Sequence, residues 1–322
     1  MIFFKSVNAH PEVIALTDLL ILGGGVAGLT SALYGVRAGL SVSVLEGMQP
    51  GGQITMAATV DNYPACPAIT GWELAQRLQA QAREAGAVLT AEQARSTNLA
   101  QRAAETASGR YSGRAMILAT GARRKKLGIP GEETLAGHGV SWCATCDGAL
   151  YRGQDVAVVG GGNTALAEAL HLSRICRTVH LIHRRSNFRA SARLISQVAG
   201  TENIHPILDT QVQSVIGTYM VEALRLSGRS GLHTLSVSAL FEAVGMEPNN
   251  DAFISQVPTD ERGFLLASED CTLPIPGVWV AGDLRHKSLR QLVTAAADGA
   301  AAAMAAVEWL SRQPAANRLP HD

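Results

Sequence analysis

The chain has 322 residues, of which 47% are hydrophobic and 17% charged, a composition typical of a globular protein with a large core. Its 27 basic and 27 acidic side chains cancel to a net charge of zero, which argues against nucleic acid or an anionic membrane surface as a partner. The length favours two domains. Because the five cysteines form an odd set and glycines interrupt the apolar run from Val13 to Ala27, we expect a cytoplasmic protein without a signal segment.

The first predicted elements are a strand, a glycine turn and a helix. The apolar run Leu19–Leu22 predicts a buried strand that leads into the fingerprint Gly23-x-Gly25-x-x-Gly28, after which apolar residues recur at helical spacing. Glycines in this turn allow backbone amides at the helix N-terminus to approach a pyrophosphate. A second apolar strand, Ser41–Leu45, is followed by Glu46, whose carboxylate can accept hydrogen bonds from ribose hydroxyls. The segment predicts a dinucleotide-binding site.

The next chemical feature is a pair of cysteines with an acid beside it. Cys143 and Cys146 are separated by two residues, so both thiols lie in one turn and can close a reducible disulfide. Asp147 follows directly and can supply or remove a proton. A zinc site needs four ligands, and the remaining cysteines are isolated in the sequence: Cys66, Cys176 and Cys271. The pattern favours a redox-active dithiol over zinc, with a buried structural pair as the simpler alternative.

A second copy of the strand, glycine turn and helix follows the cysteines. Asp155–Val159 predicts a strand, Gly160-x-Gly162-x-x-Ala165 repeats the fingerprint, and Thr178–Ile182 predicts the next strand. This strand is followed not by an acid but by four basic residues: His183, Arg184, Arg185 and Arg189. Guanidinium groups bind a 2′-phosphate in bidentate fashion and a carboxylate repels it, so this site is predicted to prefer NADPH over NADH.

The two fingerprints carry opposite ribose chemistry, which implies FAD at the first and NADPH at the second. We predict an α/β protein with two Rossmann-like dinucleotide-binding domains, the second inserted in the first. The FAD-binding domain would comprise residues 1–121 and 248–322, and the NADPH-binding domain, which carries the CxxC, residues 122–247. The glycine-containing crossovers between them are expected to form a two-stranded hinge. Electrons would pass from nicotinamide to flavin to the dithiol.

The order of these features resembles the low-molecular-weight, bacterial-type thioredoxin reductase family, class II pyridine nucleotide-disulfide oxidoreductases. The motifs that carry the resemblance are Gly51-Gly52-Gln53, Cys-Ala-Thr-Cys-Asp-Gly, Gly-Gly-Gly-Asn-Thr-Ala, His-Arg-Arg and Phe-Arg-Ala. The match runs from Asp18 to about Leu310. It implies an NADPH-dependent flavoprotein that reduces the disulfide of thioredoxin, a homodimer, and an NADPH domain that rotates to present either the nicotinamide or the dithiol.

The resemblance also implies roles for individual residues. Cys146 would face the flavin and form a transient adduct with it, Cys143 would attack the partner disulfide, and Asp147 would act as acid and base. The implied FAD contacts are Gly23, Gly25, Gly28, Glu46, Gly52, Gln53, Asn62, Gly282, Asp283, Arg290 and Gln291. The implied NADPH contacts are Gly160, Gly162, Asn163, Thr164, Ala165, His183, Arg184, Arg185 and Arg189. No metal ligand set is predicted.

Other interpretations of the same motifs remain open. A related enzyme could run in the opposite direction as a small-molecule dithiol oxidase, passing electrons through flavin to oxygen, or could use a donor other than NADPH. A flavin-binding module without turnover is a third, non-enzymatic interpretation. Two residues have no explanation in the sequence: Trp142 adds bulk directly before the first cysteine, and Glu242 places a charge in the predicted apolar strand Ala239–Val244.

Overall fold

The computed structural model describes residues 13–47, 50–57, 59–229 and 231–314, so most of the unmatched N-terminal extension lies outside the described residues. The described chain divides into two compact units. The first unit combines the residues up to Arg123 with those from Glu247 onward, and the second is Arg124–Met246. The assignment of FAD to one and NADPH to the other stays a prediction.

The first unit begins with a parallel βαβ arrangement. Its elements before the crossover are β1 (Val13–Leu22), α1 (Val26–Arg37), β2 (Val42–Leu45), a 3₁₀ turn (Gly52–Met56), α2 (Gly71–Ala85), β3 (Val88–Thr90), β4 (Ser96–Asn98), β5 (Ala103–Glu105), β6 (Arg110–Leu118) and β7 (Ala122–Arg124). The predicted strand, glycine turn and helix are thereby confirmed. The helix begins three residues earlier than the apolar spacing indicated, because it starts directly after the second fingerprint glycine, Gly25.

The second unit contains the cysteine pair and the second fingerprint. Its elements are β8 (Val140–Ser141), α3 (Ala144–Asp147), a 3₁₀ turn (Gly148–Tyr151), β9 (Asp155–Val159), α4 (Asn163–Leu172), β10 (Thr178–Ile182), α5 (Ala192–Ala199), β11 (Ile204–Ile207), β12 (Gln211–Ile216), β13 (Ala223–Gly228), β14 (Gly231–Ser236) and β15 (Ala239–Glu242). The first unit then resumes with β16 (Met246–Pro248), a 3₁₀ turn (Ile254–Gln256), β17 (Val278–Val280), a 3₁₀ turn (Gly282–Leu284) and α6 (Leu292–Ser311).

The first unit is built on a seven-stranded sheet of order β3-β2-β1-β6-β5-β4, with β17 also paired to β6. Strands β1, β2, β3, β6 and β17 run parallel. Because alternate residues of a strand point to opposite faces, Leu19 and Ile21 pack with α1 and α6 while Leu20 and Leu22 enter a second core. Burial on both faces explains why the second part of β1, Leu19–Leu22, is an unbroken apolar run rather than an alternating one.

The second unit has a five-stranded parallel sheet of order β11-β10-β9-β15-β8 and a three-stranded antiparallel sheet of order β12-β13-β14. Val156 and Val158 of β9 pack on the α4 side, and Ala157 and Val159 pack with apolar residues of the antiparallel sheet. Strands β9 and β10 have the predicted bounds. The carboxyl ends of β9, β10 and β15 therefore share one edge, where a parallel sheet places its ligand-binding residues.

The two crossover segments, β7 and β16, pair with each other as a two-stranded sheet. The Lys125 amide continues this ladder by donating to the carbonyl of Gly245 at 3.0 Å. Among the helices that the structure describes, none combines the length and apolar character needed to cross a membrane.

Candidate active site

Cys143 and Cys146 form a disulfide bond, with their Cα atoms 5.3 Å apart. Cys143 immediately precedes α3 and is half-buried, whereas Cys146 lies within α3 and is exposed. The other cysteines are free thiols, and burial raises the pKa of both Cys176 and Cys271 to about 11. Thiols with such a pKa are protonated at neutral pH and are poor nucleophiles. In the second unit, Cys143 and Cys146 are therefore the cysteines that a thiol or a disulfide can reach, whereas Cys176 is buried.

Asp147 is connected to the disulfide through one hydroxyl group. The Ser141 hydroxyl donates to Asp147 Oδ2 at 2.5 Å and accepts from the backbone amide of Cys143 at 3.1 Å. The Asp147 amide in turn donates to the Cys143 carbonyl at 3.0 Å. This closed set of hydrogen bonds holds the carboxylate next to the first cysteine, where it can exchange a proton with a thiol of the opened pair.

Ser141 was not predicted as a site residue, although its position two residues before Cys143, at the end of β8, was a usable signal. Glu168 had no such signal, because α4 brings it to the site from a distant part of the sequence. Burial raises the pKa of Glu168 to about 7. The charge of Arg124 and a hydrogen bond from the Ala144 amide act in the opposite direction and lower the pKa. A second half-buried carboxyl group thus lies at the start of the cysteine helix.

The first glycine fingerprint forms a tight turn at the carboxyl end of β1. Gly23 has a φ of 106°, in the region that favours glycine, and a Cβ on Gly28 would collide with the Gly23 carbonyl oxygen. Gly25 is different, because a Cβ there would meet no atom within 4 Å. Gly23 and Gly28 therefore close the turn, whereas Gly25 leaves open space directly before the N-terminus of α1.

Glu46 lies over this turn. Its carboxylate occupies the space beside Gly24 and accepts a hydrogen bond from the backbone amide of Gly51. Burial raises the pKa of Glu46 to about 7, and the Gly51 hydrogen bond opposes this rise. A Cβ on Gly52 would lie 3.1 Å from the Cα of Gly25, so the Gly-Gly-Gln turn also packs against the fingerprint. Gln53 is exposed at the start of the following 3₁₀ turn.

The C-terminal segment brings further predicted residues to the first unit. A Cβ on Gly282 would lie 2.9 Å from the Cβ of Ala27 in α1, which places the Gly282–Leu284 turn against the fingerprint helix. Asp283 follows in this turn, with Lys287 Nζ 3.8 Å from its carboxylate. The strand before this turn is β17, which ends at Val280.

Asn62, Arg290 and Gln291 lie around the same C-terminal turn. The Asn62 side chain donates to Gln291 Oε1 at 3.1 Å, and Gln291 caps the N-terminus of α6. The Arg290 guanidinium donates to the backbone carbonyls of Asp283, Lys287 and Arg285 and stacks over the Phe264 ring at 4.0 Å. Arg290 therefore braces the 283–287 loop as well as being a predicted flavin contact.

The second fingerprint repeats the geometry of the first in the other unit. A Cβ on Gly160 would lie 2.5 Å from the Ala243 carbonyl oxygen and 2.7 Å from the buried Ala165 side chain, so glycine is required there by close packing. Gly162 precedes α4, and a Cβ on it would meet nothing within 4 Å. Of the next two residues, Asn163 accepts a hydrogen bond from the Ser191 amide at 2.8 Å and Thr164 is exposed.

The four basic residues after β10 divide into two kinds. His183 is buried, covers Gly161 and stacks on the Phe188 ring at 5.6 Å. Burial, together with the charges of the neighbouring arginines, lowers the pKa of His183, and its Nε2 atom has no hydrogen-bond partner among the described residues. The three guanidinium groups are exposed and form no ion pair with the part of the chain that the structure describes: Arg184, Arg185 and Arg189.

Both fingerprint sites fit a dinucleotide in their steric and chemical character. Each presents a helix N-terminus with open space at its second glycine, which suits the approach of a pyrophosphate to backbone amides. The carboxylate of Glu46 suits ribose hydroxyls, and the exposed guanidinium groups at the second site suit a phosphate.

Comparison with known proteins agrees with this geometry over nearly the whole chain. The profile of the family described as pyridine nucleotide-disulphide oxidoreductase matches residues 17–299. The chain is 39% identical over 302 residues to the thioredoxin reductase of Mycolicibacterium smegmatis, which covers 92% of this chain and 97% of that protein. It is 40% identical over 309 residues to the thioredoxin reductase of Escherichia coli O157:H7, with coverages of 91% and 96%.

A solved structure gives the same result. The crystal structure of thioredoxin reductase from Streptococcus pyogenes MGAS5005 matches with a TM-score of 0.88 and 34% sequence identity, over 92% of this chain and 99% of that one. The predicted α/β class and the family resemblance are confirmed by these matches. The chain belongs to the pyridine nucleotide-disulphide oxidoreductase family and, within it, to the low-molecular-weight, bacterial-type thioredoxin reductases.

Proposed function

We propose that this chain is an NADPH-dependent, FAD-containing thioredoxin reductase whose redox centre is the Cys143–Cys146 disulfide. The observation that carries the proposal is the content of the second unit. It holds both the disulfide with its Ser141 and Asp147 hydrogen bonds and a fingerprint site with three unpaired guanidinium groups. A nicotinamide-dependent disulfide reductase needs both a nicotinamide site and a reducible disulfide, and the contents of this unit suit both.

The cofactor sites follow from the fingerprint geometry. FAD would be held by the first unit, with its pyrophosphate at Gly25 and its ribose at Glu46, and NADPH by the second, with its pyrophosphate at Gly162 and its 2′-phosphate at the arginines. When bound, the flavin and nicotinamide supply the two electrons that open the disulfide.

The chain's own residues would perform the thiol chemistry. The Cys143 thiolate attacks one sulfur of the partner disulfide, forming a mixed disulfide and releasing the partner's other sulfur as a thiolate. The Cys146 thiolate then attacks Cys143 Sγ, which restores the Cys143–Cys146 bond and releases the partner's second sulfur as a thiolate. In each of the two steps Asp147 would take the proton of the attacking thiol and give it to the leaving thiolate, since Ser141 keeps its carboxylate beside Cys143.

Thioredoxin is the proposed acceptor, because the similar proteins are named thioredoxin reductases. The homodimer and the cytoplasmic location implied by the family resemblance and by the odd number of cysteines are part of the same proposal.

The role of the cysteine pair is tested by serine variants in NADPH oxidation coupled to oxidised thioredoxin. Cys143→Ser and Cys146→Ser are each expected to lower turnover about 1000-fold or more, because a single thiol cannot complete the exchange. Cys66→Ser, which changes a free thiol of the first unit, is the matched control and should retain turnover. Retained thioredoxin reduction in either pair variant would contradict the assignment.

A further inference from the structure

Trp142 and Glu242, which the sequence left unexplained, are hydrogen-bonded to each other. The Trp142 indole Nε1 donates to Glu242 Oε2 at 2.9 Å. Strand β8 pairs with β15 so that Ser141 lies opposite Phe241, and the next positions along the two strands are Trp142 and Glu242. The hydrogen bond therefore joins the carboxyl ends of neighbouring strands, one residue before Cys143. Strand β15 ends at the buried Glu242, two residues before the end of the predicted strand Ala239–Val244.

A second buried carboxyl group lies against Glu242. Glu132 is 1% exposed and Glu242 is 4% exposed. The Glu132 carboxylate accepts three backbone hydrogen bonds, from Leu127 at 3.1 Å, Gly128 at 2.6 Å and Ile129 at 3.2 Å. Two ionised carboxylates buried side by side repel each other strongly, so the arrangement favours a proton on Glu242, whose pKa is raised by burial and by Glu132.

The groups around Glu242 determine its pKa. Burial raises its pKa to about 8, and Glu132 adds to the rise by its charge and by a hydrogen bond, while the Trp142 indole and the Leu127 amide oppose it. The charge of Glu242 also acts on Lys126, whose ammonium group is bound to Glu133 at 2.6 Å. The Arg124 guanidinium lies over the Trp142 ring, 5.7 Å from its centre.

We propose that Glu242 is a positioning residue for the redox disulfide, which holds Trp142, and through it the peptide of Cys143, only while Glu242 carries a proton. Loss of that proton sets two buried carboxylates against each other, so Glu242 turns toward water and releases the indole. The peptide that carries Cys143 is then held less firmly, and a small thiol opens the disulfide more readily. The inference rests on the proposed redox role of the cysteine pair, but its test needs neither nicotinamide nor thioredoxin.

The test is the rate at which dithiothreitol opens the Cys143–Cys146 bond in the purified flavoprotein, under argon. Dithiothreitol gives up two electrons and two protons and becomes a cyclic disulfide, and the protein disulfide becomes two thiols. Alkylation after an acid quench, followed by peptide mass measurement, counts the opened pair. Glu242→Val removes the acceptor without burying a charge, and Trp142→Phe keeps an aromatic ring and removes only the N–H donor.

At pH 7 both variants are expected to open about threefold to tenfold faster than the parent protein, and the double variant no faster than either single one. Glu242→Gln keeps an acceptor oxygen and should open at the parent rate, which separates loss of the hydrogen bond from general damage to the fold. Parent rates in Glu242→Val, or additive effects in the double variant, would overturn the positioning role.

The proton requirement is tested by the ratio of the parent rate to the Glu242→Gln rate between pH 6.5 and 9, in which the thiolate fraction of dithiothreitol cancels. The ratio is expected to be near one at neutral pH and to rise through about pH 8 toward the value for Glu242→Val. A ratio that stays at one over the whole range would overturn the proton requirement. If the rates follow the proposal but NADPH fails to reduce the protein, the proposed donor is wrong and the positioning role stands.

Discussion

The two fingerprint sites use the same backbone and differ in the residue that follows the second strand. In each, the residue directly after that strand covers the middle glycine of the turn: Glu46 covers Gly24, and His183 covers Gly161. The two side chains are therefore structural counterparts. In the proposed function, the backbone of the turn would bind the pyrophosphate that all dinucleotides share, and the residue after the strand, with those that follow it, would determine which ribose is accepted.

The comparison also shows that the four basic residues of the second site differ in charge. His183, Arg184 and Arg185 were predicted as one basic cluster, but His183 is buried with a lowered pKa and so stays neutral at pH 7. The positive charge lies only on the exposed arginines. If the second site binds a 2′-phosphate as proposed, the charge that attracts it would come from the exposed arginines, and His183 alone would not supply that charge.

Removing the cations should have the largest effect on this difference. Arg184→Ala combined with Arg185→Ala is expected to weaken NADPH binding about 100-fold and leave NADH binding nearly unchanged, because only the 2′-phosphate loses its charge-assisted hydrogen bonds. Titration of each nicotinamide by calorimetry measures both constants. Arg177→Ala is the matched control, since this exposed arginine of the same unit is bound to Asp155 at 2.6 Å. An unchanged preference for NADPH would refute the role of Arg184 and Arg185 in binding the 2′-phosphate.

Methyl groups at the open glycines should separate the two sites. Gly25→Ala and Gly162→Ala add a Cβ that meets no protein atom within 4 Å, and both positions have negative φ values, of −75° and −101°, that alanine adopts. Only a bound pyrophosphate would meet the new methyl. We expect Gly25→Ala to weaken FAD retention, and Gly162→Ala to weaken NADPH binding, by about 10- to 100-fold each.

Each glycine variant serves as the control for the other, since both should keep the thermal stability of the parent protein. Weakening of both cofactors by one methyl group would show that the two sites are not separate.

The smallest effect concerns the proton on Glu46. Because its pKa is about 7, the carboxyl is only partly ionised at neutral pH, and ribose hydroxyls would donate to the ionised form. Binding of FAD to the flavin-free protein should therefore tighten as the pH rises from 6 to 8, by about tenfold at most. Quenching of flavin fluorescence measures this. Glu46→Gln should bind with little pH dependence, and an equal dependence in both proteins would exclude Glu46 as its source.

The fold was predictable because its signals are local. β9 and β10 have the predicted bounds, since β-branched apolar runs flanked by polar residues mark strands that are buried on both faces. The helix starts were less well predicted. Helices α1 and α4 begin directly after a glycine of the fingerprint, before the residues whose apolar spacing indicates a helix. The antiparallel sheet of the second unit was not predicted, as its strands β12 to β14 carry mixed, half-exposed residues.

The site was predictable where one motif contains all its parts. Cys143, Cys146 and Asp147 lie within five residues, and the spacing alone placed them together. Ser141 and Glu168 required the structure, because a hydroxyl or an acid outside the motif has no distinguishing pattern. The same holds for Glu242, whose partner Trp142 lies 100 positions away and is reached only through the pairing of β8 with β15.

The central claim is that electrons pass from NADPH to the Cys143–Cys146 disulfide and then to thioredoxin. Anaerobic mixing of the yellow protein with NADPH or NADH, followed by oxidised thioredoxin, tests it directly through the visible flavin band. We predict that NADPH bleaches the band much faster than NADH and that oxidised thioredoxin restores it. If neither nicotinamide bleaches the band and a small dithiol does, the account is wrong about the donor and the chain works as a dithiol oxidase.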